Sequence, residues 1–377
     1  MNIDPRLLHP TNLNSQFHNN SITFADYIQQ TQGMLKNARI DITPTNQDNI
    51  LTANSPYNWI PSPHKPKRGI LLIHGLYDSP FSMMDLGKHL LSQGFIVRSI
   101  LLPGHGTVPG DLLNIKRNEW IKVVDYGFAS LQQEVEQIFI GGFSLGGTLA
   151  LHKAIRHPEV RGLILFAPAI KLWRCRLAYL GQSLKLINWL FPNLKWYRRN
   201  SQKSYTKYES FCFNAAFQGC KLARETHALL QKKPLKMPLF ITQSTTDETV
   251  IADGVLDLFK QLPNPQSRLL LYTPQPIVVT DPRIKQRTSY FPEKNILDFS
   301  HTCMPFAPDN YYYGAQGVYQ DFAHYQHNIP IDKKIYNGSI SKKNLSLHTM
   351  QRLSYNPDFD NMLEEIDEFL NCILGVF

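Results

Sequence analysis

IFIGGFSLGGTLALHKAI (Ile138–Ile155) decides how this chain is read. An apolar run enters a Gly-x-Ser-x-Gly turn (Gly142, Ser144, Gly146), and a helix-forming segment follows until it is stopped at Pro158. A serine on a tight strand-to-helix turn takes strained backbone angles, and glycines two positions before and after remove the side chains that would crowd it. Its hydroxyl then projects above the C-terminal edge of a sheet, where the N-terminus of the following helix favours developing negative charge. The competing reading is a glycine-rich packing turn. Phosphate binding is disfavoured, because a Walker loop needs a lysine where this chain has Gly147-Thr148. The G-x-G-x-x-G order of a dinucleotide fingerprint is also absent at this turn.

Working outward, KRGILLIHGLYDSP contains a continuous apolar run, Ile70–Ile73, as expected of a strand buried on both faces. MMDLGKHLLSQG reads as a helix, FIVRSILLPGHG as a strand, EWIKVVDYGFASLQQEV as a helix and VRGLILFAPA as a further strand. Strands separated by helices predict a mainly parallel sheet covered on both faces. Beyond Ala169 the rhythm breaks. Residues 170–234 are helical in pattern, with Leu177, Leu180, Leu184, Ile187 and Phe191 at helical spacing and no strand before MPLFITQS, and they read as a cap. IADGVLDLFKQLP and SRLLLYT resume the alternation, the segment 274–295 is long and proline-containing, and ILDFSH reads as a short strand leading into a loop. NPDFDNMLEEIDEFLNCIL is an amphipathic helix with an apolar stripe of Phe359, Met362, Leu363, Ile366, Phe369 and Leu370. The expected organisation is an N-terminal extension (1–60) with one helix in an extended lead-in, a first core part (61–169), a helical cap (170–234) and a second core part (235–377).

A nucleophilic serine needs partners. Two backbone N–H groups must meet at one point to hold an oxyanion. Leu145 supplies the first and Leu76, in IHGLYDSP, the second, with Tyr77 as an added contact. His74 is read as a structural hydrogen bonder of that loop. Serine hydrolases of strand-to-helix type order their residues Ser, acid, His. LFITQSTTDETV reaches Asp247 after a strand, with Glu248 and Asp281 as competing acids. ILDFSHTCMP places His301 as the base, with His324 and His327 as competitors. No spacing of His, Cys and carboxylates matches a metal site, and no cofactor is expected.

The chain has 377 residues, is 43% hydrophobic and carries a formal net charge of +9. Between Lys171 and Lys203 lie eight Lys and Arg and no Asp or Glu, interleaved with Trp173, Trp189, Trp196 and Tyr197. Such a face is either ordinary solvated surface or suited to an anionic membrane surface. Nucleic acid is not expected, since no recognised module accompanies the charge, and no oligomeric state is read from the sequence. The five cysteines (Cys175, Cys212, Cys220, Cys303, Cys372) follow no zinc pattern and read as free thiols of a reducing compartment, with Cys212–Cys220 as the alternative bridge. The first residues lack a secretory pattern, which predicts the cytoplasm, with signal-independent export left open.

HGLYDSPFSMMDLGKHLLSQGFIV, LLPGHGTVPGDLL, GGFSLGGTLAL and NPDFDNMLEEIDEFL together resemble the α/β-hydrolases of the carboxylesterase and monoacylglycerol-lipase-like group, over about 68–370. The resemblance implies an α/β-hydrolase fold with a helical cap and hydrolysis of carboxylic esters, hydrophobic or lipid-like in the acyl part. Ser144 would be nucleophile, Asp247 acid, His301 base, and Leu76 and Leu145 backbone donors. Residues 1–60 have no clear counterpart in that group, and 302–355 are inserted where many members are short. Peptide or amide cleavage and acyl transfer use the same residues. The non-enzymatic alternative is an inactive hydrolase scaffold serving as an interaction module.

Overall fold

A computed structural model of the chain describes residues 3–17, 21–62, 67–183, 192–321 and 334–375. The eight-stranded central sheet has the order β1-β3-β2-β4-β5-β8-β9-β10. Its strands are β1 (Tyr57–Trp59), β2 (Arg68–Ile73), β3 (Ile96–Ile100), β4 (Gln137–Phe143), β5 (Gly162–Phe166), β8 (Leu239–Ser244), β9 (Arg268–Thr273) and β10 (Ile284–Thr288). Only β1 runs antiparallel, against β3. Short pairs stand apart: β6 (Trp196–Arg198) with β7 (Phe211–Cys212), and β11 (Ile335–Gly338) with β12 (Thr349–Arg352).

The continuous apolar runs are continuous because both faces are covered. Leu71 and Ile73 face a core shared with α4 (Arg117–Gln132), α5 (Leu145–Ala154), α7 (Phe213–Lys232) and α8 (Ala252–Lys260). Ile70 and Leu72 face the opposite core, with α3 (Met84–Ser92) and α10 (Phe359–Leu374). Successive strand side chains point to opposite faces, so every residue of such a strand must be apolar. The chain leaves β2 for β3 on one side and returns to place β4 on the other, and a crevice forms at that switch point.

The segment before residue 60 holds α1 (Phe24–Ala38) and α2 (Gln47–Asn54), and β1 ties it to the sheet. ILDFSH is not a strand: Ile296 makes only isolated bridges, and the strand before His301 is β10. The cap is not wholly helical either. It holds α6 (Cys175–Ser183), α7 and the β6–β7 pair. Leu177 and Leu180 are exposed, while Ala178 and Gly181 face inward. The described part of the expected stripe, Leu177 and Leu180, is therefore largely exposed; Leu184, Ile187 and Phe191 lie outside the described residues. α9 (Lys342–Leu347) links β11 to β12.

The reading of five free thiols, and the Cys212–Cys220 alternative, are both overturned. Cys175 is bonded to Cys220 with Cα atoms 5.7 Å apart, and Cys212, Cys303 and Cys372 are free. The reason is close packing of α6 on α7. The Phe213 ring fills the place a side chain at Gly181 would need, which sets the start of α6 over Cys220. A separation of 45 residues carries no mark of this in the sequence. Among the described residues no helix is long and apolar enough to cross a membrane.

Closing a loop of that length removes unfolded-state freedom worth about 2–4 kcal/mol. The double variant Cys175→Ala/Cys220→Ala is expected to lose about that much stability in urea unfolding, and reductant should weaken the wild type but not the variant. Gly33, mid-helix in α1 with nothing within 4 Å of an added Cβ, gives the opposite sign. Gly33→Ala should gain about 0.5–1 kcal/mol in the same measurement.

Candidate active site

Ser144 caps α5 directly after β4, at φ 54° and ψ −113°. A side chain on Gly142 would overlap the Gly146 backbone, and one on Gly146 would overlap the carbonyl of Ile73. Both glycines are thus required by close approach. The strained backbone is pinned by its neighbours: the Ser144 N–H donates to the Phe166 carbonyl (2.9 Å), and the Ser144 carbonyl accepts from the N–H groups of Thr148 (3.2 Å) and Ala169 (3.0 Å).

Two strand ends and one long loop deliver the side chains. Asp247 follows β8, and His301 lies in the irregular segment between β10 and β11. The Nδ1–H of His301 donates to Asp247 Oδ2 at 2.7 Å, and its Nε2 accepts from the Ser144 hydroxyl at 2.9 Å. The tautomer follows from chemistry, because an ionised carboxylate only accepts. The other oxygen of Asp247 accepts from the N–H groups of Thr249 (2.7 Å) and Val250 (2.8 Å), so the carboxylate is held rigidly. Phe143 stacks on the His301 ring with centroids 5.1 Å apart. Burial disfavours the imidazolium, but the Asp247 carboxylate outweighs it and holds the His301 pKa above its ordinary value.

The competing residues have other partners. Asp281 pairs with Arg283 at 2.7 Å. Glu248 accepts from the His301 backbone N–H through Oε2 (3.0 Å) and meets Arg352 through Oε1 (3.1 Å). It therefore braces the histidine loop instead of touching the ring. His324 and His327 lie outside the described residues.

The register of the sheet sets Ile73 beside Gly142, so the loop after β2 passes directly over the elbow. Among the described residues neither the Leu76 N–H nor the Leu145 N–H donates to a protein acceptor. The Tyr77 N–H, read from the sequence as an added contact, is instead taken by His105 Nε2 at 3.1 Å. His74 is structural as expected, its Nε2 accepting from the Leu102 N–H at 3.0 Å.

A cavity of about 610 Å³ opens on Ser144 and His301. Its wall along α6 and α7 is apolar (Leu177, Ala178, Phe213, Ala216), with the Cys175–Cys220 bridge in it, while Arg174 and Arg198 of the cap also line the cavity. Charged groups also line it: Lys207 and Glu209 from between β6 and β7, with Asp78 and Arg352 from the core. Burial raises the Asp78 pKa to about 6. Sequence reasoning missed Asp78, Lys207 and Arg352, which have no motif of their own.

A family model described as "Serine aminopeptidase, S33" matches residues 64–274. A thermostable monoacylglycerol lipase of Bacillus sp. (strain H-257) is 27% identical over 195 residues, 51% of this chain and 75% of that protein. A carboxylesterase of Bacillus subtilis (strain 168) is 31% identical over 98 residues, 26% of this chain and 39% of that protein. Among solved structures, the Paleococcus ferrophilus monoacylglycerol lipase aligns with a TM-score of 0.45 at 20% identity, covering 58% of this chain and 88% of that one.

His301 should titrate by NMR above the ordinary histidine value near 6.5. In Asp247→Asn it should fall below that value, since burial persists while the charge that opposes it is gone. Gly146→Ala should fail to fold or lose several kcal/mol, on the order of 4 or more, because the clash is with backbone that cannot give.

Proposed function

We propose that this chain, which belongs to the family described as serine aminopeptidase, S33, uses Ser144 as nucleophile, His301 as general base and Asp247 as the acid that orients it, against esters with hydrophobic, lipid-like acyl groups. The chain is a serine hydrolase of the carboxylesterase and lipase type. The single observation that carries the residue roles is one imidazole bonded on one side to a buried carboxylate and on the other to a hydroxyl on a strained elbow.

In the reaction, His301 Nε2 takes the Ser144 proton as Oγ attacks the ester carbonyl. The Leu76 and Leu145 N–H groups receive the oxyanion, the latter with the dipole of α5 behind it. The imidazolium, held by Asp247, returns its proton to the leaving alcohol. A water activated by the same ring then releases the acid from the acyl-enzyme.

The apolar wall of the cavity along α6 and α7 supports a hydrophobic acyl group. The cap rim supports contact with an anionic lipid surface: Trp173, Leu177, Leu180 and Tyr197 are exposed beside Arg174, Arg176, Arg198 and Arg199. Amide cleavage is the second reading, since the family description names an aminopeptidase; the lipase and the carboxylesterase among the relatives weigh toward esters. The Cys175–Cys220 bridge supports a compartment where thiols are oxidised over the cytoplasm expected from the sequence.

Ser144→Ala should abolish p-nitrophenyl ester turnover and fluorophosphonate labelling; retained turnover would refute the assignment. For the wild type, kcat/KM should rise with ester chain length and exceed that for the matched anilide. It should fall as pH drops through the raised His301 pKa, because the protonated ring cannot accept the serine proton. An acetyl ester preference with no response to anionic vesicles would overturn the lipid reading.

A further inference from the structure

The N-terminal segment grips one loop of the core, and that loop leads to the oxyanion donors. Thr11 donates through its N–H (2.6 Å) and its hydroxyl (2.9 Å) to the buried carboxylate of Asp111. The side-chain amide of Asn14 donates to the His105 carbonyl at 2.6 Å. Arg39, its side chain 3% exposed, donates to the Gly106 carbonyl at 2.8 Å while forking onto Asp41. Tyr27 exchanges hydrogen bonds with the backbone of Leu101 (3.1 and 3.2 Å). All these contacts fall on residues 101–111.

That loop needs an external clamp. Gly104 and Gly106, which flank His105, both sit at positive φ (85° and 77°). Glycine reaches such angles freely, and it leaves the unclamped backbone more conformations than any other residue would. A side chain at Gly110 would strike the His9 backbone, so the N-terminal segment lies directly on the loop.

His105 connects the loop to the site. It is fully buried, and burial pushes its pKa down to about 4, so the ring is neutral. Its Nδ1–H donates to the Leu102 carbonyl (3.1 Å), which leaves the Nε2 lone pair to accept the Tyr77 N–H (3.1 Å). Tyr77 holds φ 64°, an uncommon angle for a residue with a side chain. Its carbonyl is held by the Tyr208 N–H (2.7 Å) and its hydroxyl donates to the Cys212 carbonyl (2.8 Å). Tyr77 therefore carries the constraints that fix the peptide next to Leu76.

We propose that residues 3–17 and 21–41 form a positioning element for the oxyanion loop: by clamping residues 101–111 they seat the His105 ring on the Tyr77 N–H, and this aims the Leu76 N–H over Ser144. His105, Thr11, Asn14 and Arg39 are positioning residues that touch no substrate. The inference rests on the reading of Ser144 as nucleophile and of Leu76 as oxyanion donor.

The test uses the full chain with Thr11→Val, Asn14→Ala, His105→Leu and His105→Gln, assayed well below each melting temperature. The readouts are kcat and KM on one p-nitrophenyl ester and affinity for an alkyl boronic acid, which places an oxyanion in the hole. Thr11→Val with Asn14→Ala should lower kcat and boronate affinity together by about 10- to 100-fold, with KM within about two-fold. His105→Leu should do the same, and His105→Gln, which keeps an acceptor for the Tyr77 N–H, should recover most of the loss. Wild-type kcat and boronate affinity in folded Thr11→Val/Asn14→Ala, with only the melting temperature lowered, would overturn the proposal and make the extension a mere stabiliser. Fluorophosphonate labelling separates this from the underlying reading: if the wild type is labelled at Ser144, a negative result sinks the positioning role alone, whereas absent labelling sinks the nucleophile assignment first.

Discussion

The structure turns on one backbone conformation, the positive φ of Ser144 between two glycines that admit no substitute. A non-glycine residue in that region costs on the order of 1–3 kcal/mol and persists only where its surroundings leave no alternative. Here the surroundings are the sheet itself. The Ser144 N–H is bound to β5, its carbonyl to α5 and to the turn after β5, and β2 passes overhead. Relaxing the serine would mean dislodging strands buried on both faces. The strain is thereby converted into position: the hydroxyl stands at the sheet edge, 2.9 Å from an imidazole delivered by the far side of the sheet.

The same sheet explains how the imidazole is held and oriented there. Asp247 is buried, yet its carboxylate is satisfied by two backbone N–H groups besides the ring. A buried charge with a complete set of donors is tolerable, and it then raises the pKa of the neighbouring histidine against the effect of burial. β12 and the residue after it bear on this side of the site. Glu248 joins the His301 backbone to Arg352 of β12, and the Ser300 hydroxyl donates to the Leu353 carbonyl at 2.6 Å. Thr11, Asn14 and Arg39 bond the loop 101–111, so the described N-terminal residues brace the oxyanion loop as β12 braces the histidine.

What was legible in the sequence follows from which forces leave a local mark. Doubly buried strands must be apolar throughout, and an elbow must carry glycine, so Ile70–Ile73 and Gly142–Gly146 announced themselves. Asp247 was legible through chain order and a strand end, and His301 through chain order alone, since the strand expected before it is an irregular loop. The edge strand β10 was not read, because IKQRT is half in solvent and lacks an apolar run. ILDFSH misled because its apolar residues are core-facing in an irregular loop, where Asp298 bonds the Ser339 N–H at 2.6 Å and Asn344 at 2.9 Å. The disulfide and the clasp of Thr11 on Asp111 are long-range, set by packing that no spacing encodes.

The cavity carries two kinds of recognition, and they act differently. Its wall along α6 and α7 is apolar, and burial there is non-directional, worth about 0.8 kcal/mol per methylene, which is roughly a four-fold effect for each carbon added. Such a wall grades substrates by length but cannot sharply exclude one. Other parts of the lining carry charged side chains. Glu248 is committed to Arg352 and the histidine loop, and Lys207 lies over the Tyr319 ring at 4.1 Å. Charges already paired accept a polar group only if it matches their hydrogen bonds, so discrimination there is steeper than along the apolar wall. The apolar part of the lining therefore grades what it holds by size, while the charged part sets which polar groups it accepts.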